Sequence, residues 1–169
     1  MKRLVLVLSI AATAAWAIPS AAQDLGRFHD WGAHYFTEED GNRVCSMWTQ
    51  PKKAEGKYSR RGEIFALVTH RPADKRVGIV SFEMGYPFAS GKKLAVVVDG
   101  SAPIHVTTEG EQAWGVSKEV NRRLVKAMQS GLEMVATGRS RRGTRTVDTY
   151  SLRGFTAAYK AISKACGVG

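Results

Sequence analysis

A mainly β fold, an antiparallel sandwich or barrel with two short α-helices added, is predicted from three features of the sequence. About eight short runs, apolar or alternating, are separated by turn residues. They join through tight hairpins rather than crossover helices, which makes a parallel α/β sheet the weaker alternative. Only two stretches carry helical periodicity, and one of them closes the chain.

Residues 1–22 read as a secretory signal peptide. Met1-Lys2-Arg3 precede an apolar run that passes into small residues by Ala17, and Ser20-Ala21-Ala22 supplies small residues before Gln23. Cleavage falls after Ala22 or, alternatively, after Ala17. The run is shorter than the ~20 apolar residues of a spanning helix, with an uncleaved anchor as the alternative, and the mature chain has no transmembrane segment. Residues 23–169 then make a single domain. Lys2 and Arg3 leave with the leader, so 23 basic residues face 15 acidic ones, a mature net charge of +8.

Within that domain, residues 23–30 read as an entry segment. Residues 31–37 and 43–49 are paired strands about the turn Glu38-Glu39-Asp40-Gly41. Alternation puts Cys45 and Met47 on one face of the second strand, and Val44, Ser46 and Trp48 on the other. Residues 50–62 are polar and basic and read as a loop. Strands follow at 63–70, 76–84, 93–98 and 104–108, the last two joined through Asp99-Gly100. Ser117 is a helix N-cap, Gly131 closes that helix, and Val120, Leu124, Ala127 and Met128 form its buried stripe, with Arg122, Arg123 and Lys126 outward. Strands at 132–137 and 144–152 flank the tip of residues 138–143. In the last helix Phe155, Tyr159, Ile162 and Cys166 share a face, and Gly167 is a left-handed C-cap.

The chain has two cysteines, Cys45 and Cys166. Export places them in an oxidising compartment, where a pair becomes a disulfide; two buried free thiols are the alternative. The closed ring of about 120 residues would be worth about 4–5 kcal/mol in the chain-entropy model. The helix carrying Cys166 must then pack on the Cys45–Met47 face.

No motif calls for a cofactor. His29, His34, His70 and His105 are scattered without tetrahedral ligand spacing, so no metal site is expected. The tip Gly138–Arg145 superficially echoes a phosphate loop, but Thr144 stands where its lysine belongs and a strand follows where a helix should start. No Gly-x-Ser-x-Gly elbow occurs, and Glu38, Glu39 and Asp40 sit at a turn tip where solvent accounts for them. Trp31, Trp48 and Trp114 are read as core residues rather than a sugar platform.

The basic residues carry more information. Lys52, Lys53, Lys57, Arg60 and Arg61 fall in one segment, and Arg139, Arg141, Arg142 and Arg145 in another. A solvated surface is one reading. The other is a contact surface for an anionic partner such as envelope glycolipid, acidic polysaccharide or a host cell. Export, rather than charge, argues against nucleic acid.

Trp31 on the first strand, Cys45 one hairpin later, and Asp148-Thr-Tyr-Ser-Leu-Arg-Gly-Phe-Thr-Ala-Ala-Tyr-Lys-Ala-Ile with Cys166 behind it resemble the invasion-associated locus B family of bacterial exported proteins. The strongest piece is Ser151-Leu152-x-Gly154-Phe155-Thr156, and the likeness spans most of the mature chain. The resemblance implies a sandwich of immunoglobulin-like class, export to the envelope, and no catalytic motif that transfers to positions here. The expected function is therefore that of a non-enzymatic envelope protein, periplasmic or on the outer surface, which binds an anionic surface or an envelope or host-cell protein. A small periplasmic hydrolase using His34, His70 or His105, and a structural or chaperone-like envelope factor, are the alternatives.

Overall fold

The computed structural model describes residues 22–169. The signal peptide expected over residues 1–22 thus lies outside the described residues, apart from Ala22. Eleven strands follow in order: β1 (Gln23–Phe28), β2 (Trp31–Thr37), β3 (Arg43–Thr49), β4 (Lys53–Gly56), β5 (Phe65–Arg71), β6 (Arg76–Glu83), β7 (Leu94–Val98), β8 (Ile104–Glu109), β9 (Gln112–Trp114), β10 (Glu133–Arg139) and β11 (Arg145–Ser151). Helix α1 (Lys118–Ser130) stands between β9 and β10, and α2 (Phe155–Cys166) follows β11.

All pairings are antiparallel, in the order β1-β2-β3-β5-β6-β9-β8-β7-β10-β11-β4. β8 is the corner. Its first half pairs with β7, Val106 opposite Leu94, and its second half pairs with β9, Thr108 opposite Ala113. The sheet turns back on itself there, so strands far apart in the ladder face each other across one core. Phe82 of β6 and Tyr150 of β11 meet with ring centroids 6.3 Å apart. Alternation does the sorting: β5, β7, β10 and β11 each bury every second residue. The fold is mainly β and antiparallel, as expected.

Three strands were not expected. β1, read as an entry segment, pairs with β2 through an irregular register at Asp24/Gly26, which hides its alternation. β4 lies inside the expected loop; all four of its residues are exposed, so it has no buried face to leave a pattern. β9 has three residues, too few to show a period.

α1 starts as expected, with Ser117 Oγ accepting the Val120 amide at 3.2 Å. Its buried stripe is rotated from the expected one, to Asn121, Leu124, Val125 and Met128. Asn121 can enter the core because its amide is fully used: Oδ1 accepts from Val80 N at 2.9 Å, and Nδ2 donates to Gly115 O at 2.8 Å and Ser117 O at 2.9 Å. Gly131 does end α1, but in extended backbone (φ −92°). A Cβ there would lie 2.3 Å from Val98 Cγ1, so glycine is required for close approach rather than for backbone freedom. Leu132, expected to open a strand, is 81% exposed and lies just before it.

The closing helix behaves as read. Gly167 is left-handed (φ 61°), and Cys45 and Cys166 form a disulfide with Cα atoms 6.0 Å apart. α2 packs on β2 and β3. The Trp31 indole N–H donates to Ser151 O at 3.1 Å, and its ring meets Phe155 edge-on at 5.0 Å. The Arg43 guanidinium donates to Ala165 O at 2.7 Å, placing a cation on the last turn of α2, where the helix dipole favours it.

Candidate functional site: a basic cleft over a buried ion pair

β4 pairs with β11 from Lys53↔Thr149 to Gly56↔Thr146, which brings the first basic segment beside the β10–β11 tip. The cleft between them is about 320 Å³. Its floor is the segment leaving β6, held by the main chain to both walls: Gly62 N donates to Gly85 O at 2.9 Å, and Arg141 N donates to Pro87 O at 2.8 Å. Gly85 has φ +66°, and a Cβ on it would lie 2.5 Å from Gly62 O, so only glycine allows this contact.

Arg61, expected on the contact surface, is instead buried beneath the cleft. Its side chain is 4% exposed and that of Asp148 0%. Nη1 and Nη2 donate to the two Asp148 oxygens at 2.7 and 2.5 Å, and Nε donates to Met84 O at 2.8 Å. The guanidinium also lies over Tyr58 at 5.4 Å and Tyr86 at 5.1 Å. This corrects the expectation: a buried guanidinium needs a partner carboxylate, and Asp148 supplies it. Burial pushes the Asp148 carboxyl above the usual range, while Arg61 opposes that. The Tyr86 hydroxyl shares a 2.6 Å hydrogen bond with Thr146 Oγ1, and burial raises its phenol. Tyr150, next inward on β11, has a buried hydroxyl with no partner among the described residues, and burial raises its phenol too.

The other expected cations divide. Lys52 pairs with Asp30 at 2.5 Å and Lys53 with Glu55 at 3.0 Å; the hydrogen bond from Lys52 is the main reason the Asp30 carboxyl is held below its usual range. Neither lysine lines the cleft. Arg139 braces the tip by donating to Gly143 O at 2.7 Å, and Arg145 is exposed beside it. Lys57, Arg60, Arg141 and Arg142 are exposed and line the cleft. Among the described residues none of these four is in an ion pair, and no carboxylate lines the cleft. Sequence reasoning missed Asp148, Tyr58 and Tyr86. Asp148 left one signal: it shares the inward parity of Tyr150 on β11, where a charge requires a partner.

The histidines do not converge. His29 and His105 are exposed and His34 is half-buried. His70, grouped with the scattered set, is fully buried at the other end of the β5–β6 hairpin. Its Nδ1 accepts from Gly78 N at 2.8 Å, so the neutral ring carries its proton on Nε2, which donates to Ser163 Oγ at 3.1 Å. Burial lowers its pKa to about 4, and its other neighbour is the Tyr159 ring, edge-on at 5.1 Å. The pair has no carboxylate behind the imidazole to orient it as a base. Trp31 is core, while Trp48 and Trp114 are half-buried.

The family model described as Invasion associated locus B (IalB) protein matches residues 31–163, from the Trp31 end of β2 into the last turn of α2. No curated protein matches the chain, and no solved structure does. The family match takes in nearly all of the described fold, including Arg61, Asp148 and both walls of the cleft, and the chain belongs to the invasion-associated locus B family.

Proposed function

We propose that the protein acts by binding, as an exported envelope protein whose basic cleft engages an anionic partner on an envelope or host-cell surface. One observation carries this reading: two basic segments remote in sequence converge on one cleft that, among the described residues, contains no carboxylate. Four cations without an ion-pair partner among the described residues raise the local positive potential, and an anion bound between them is attracted by all four. The floor is pre-organised by main-chain hydrogen bonds and by the Arg61–Asp148 pair, so the ordering left for binding is that of the rim side chains. Export is supported by the leader pattern and by the disulfide, which belongs in an oxidising compartment. The family's description as invasion associated adds a host surface to the partners worth testing.

The test is retention on a heparin-like matrix and on vesicles of anionic glycolipid over a salt series. Retention should weaken as salt rises and weaken further when Arg139, Arg141 and Arg142 are all changed to Ser. Unchanged low-salt binding by that variant would remove the cleft from the function.

A further inference from the structure

The cleft has two walls, and its cations are split evenly between them. Lys57 and Arg60 stand on the segment after β4; Arg141 and Arg142 stand on the β10–β11 tip. The walls are tied at the base by the β4–β11 ladder and by the Thr144 hydroxyl, which donates to Lys57 O at 3.5 Å. The Gly85–Pro87 floor is bonded to each of them. The two pairs are therefore held apart by a rigid base.

Arg61 adds no free charge, because Asp148 cancels it, so the lining carries four net positive charges. A single carboxylate would balance one of them. A phosphate monoester brings about −1.5 to −2 at pH 7, so two such groups match the lining. Arginine's planar fork suits the oxygens of phosphate or sulfate, and three of the four cations are arginines. The volume, about 320 Å³, is at the small end of ligand sites, which run roughly 300–1,000 Å³. Tyr58, Ser59 and Thr144 also line the cleft, side chains of the kind that a polyol can meet.

We infer that the cleft takes a compact sugar-like ligand bearing two phosphate or sulfate groups, one gripped by Lys57 and Arg60 and the other by Arg141 and Arg142. This rests on the cleft being the binding site, and it adds that both walls must be engaged at once.

Calorimetric titration at low salt tests it on the whole mature chain, with glucose 1,6-bisphosphate, glucose 6-phosphate and inorganic phosphate as probes and a disulfated disaccharide as a parallel arm. The bisphosphate should bind at least about tenfold more tightly than the monophosphate at matched ionic strength, since the second contact is intramolecular. The variants K57S/R60S and R141S/R142S should each bring the bisphosphate down to the affinity of the monophosphate, because only one wall is left to grip. Their urea midpoints should match the parent, all four side chains being exposed. Preferential binding of the disulfated sugar would identify sulfate as the natural group, and of the bisphosphate, phosphate. Equal affinity for bisphosphate and monophosphate in the parent would overturn the two-wall ligand while leaving salt-sensitive retention, and the cleft, intact. Loss of the preference through one pair alone would overturn it as well. Absence of any salt-sensitive retention would sink the binding reading itself.

Discussion

The α2 end of the molecule and the cleft end both tie together segments remote in sequence, one through Cys45–Cys166 and the other through Arg61–Asp148. They lie at opposite ends of the β5–β6 hairpin: His70 is near its turn, whereas Arg61 precedes β5 and Met84 follows β6. At the covalent end the surroundings are aromatic and apolar. Trp31, Phe155 and Tyr159 pack in contact, and the one buried imidazole is forced neutral. At the ionic end a full charge pair is held out of water, and four further cations stand above it. A covalent tie needs no complementary charge, so that end can be closed and dry. An ionic tie cancels its own charge at the floor and leaves the cations of the rim to the outside. The second arrangement is the one suited to binding.

The largest test of this contrast is removal of the covalent tie. Replacing both Cys45 and Cys166 with Ala should lower the unfolding free energy by about 4–5 kcal/mol in the chain-entropy model, read by urea denaturation. A loss below about 1 kcal/mol would mean that α2 is held by packing alone. Next comes the ionic tie. Asp148→Asn leaves the Arg61 charge buried without a counter-ion, and should cost about 3–5 kcal/mol. Pairing Asp148→Leu with Arg61→Met should recover most of that loss, since an apolar pair needs no desolvation. If the double variant is as unstable as the single, the pair is not the reason for the loss.

The third effect is pH-dependent and centres on His70. His70 is held neutral with a pKa of about 4 in the fold, against 6.5 for the unpartnered side chain. The unfolded chain therefore takes up a proton first as pH falls, so stability is complete above pH 6.5 and drains away as pH drops towards 4, by up to about 3 kcal/mol. His70→Asn, which keeps an acceptor for Gly78 N, should flatten urea midpoints across that window. A parent whose midpoint changes between pH 6.5 and 4.5 by the same amount as that of His70→Asn would contradict a neutral buried ring. The smallest effect on stability should come from the rim: the Arg139, Arg141 and Arg142 to Ser variant is expected within about 1 kcal/mol of the parent, the Arg139 hydrogen bond to Gly143 O being its main cost, while its retention on an anionic matrix should fall.

Legibility in the sequence followed burial pattern. The strands that bury alternate residues, the Ser117 cap and the Phe155–Ile162 face of α2 were readable, because period and capping chemistry are local. β4 was not, since an edge strand with four exposed residues has no period; the ladder to β11 alone makes it a strand. Asn121 was missed for a related reason. A polar residue enters a helix's buried stripe only when the partners exist, and those come from β6 and the loop before α1. The basic segments were visible as charge, but Arg61 and Arg60 are neighbours in sequence with opposite fates.

By itself, then, the sequence determined the antiparallel class, the two helices, the identity of the cysteine pair and the excess of positive charge. Each is a matter of local period, of turn chemistry or of counting. Only the tertiary structure decided that β8 turns the sheet back on itself, that Arg61 is consumed by Asp148, and that Lys57 and Arg60 face Arg141 and Arg142 across one cleft. The physical reason is that burial and pairing depend on what the far end of the chain brings alongside, and β11 brings both the carboxylate that neutralises the floor and the tip that forms the second wall.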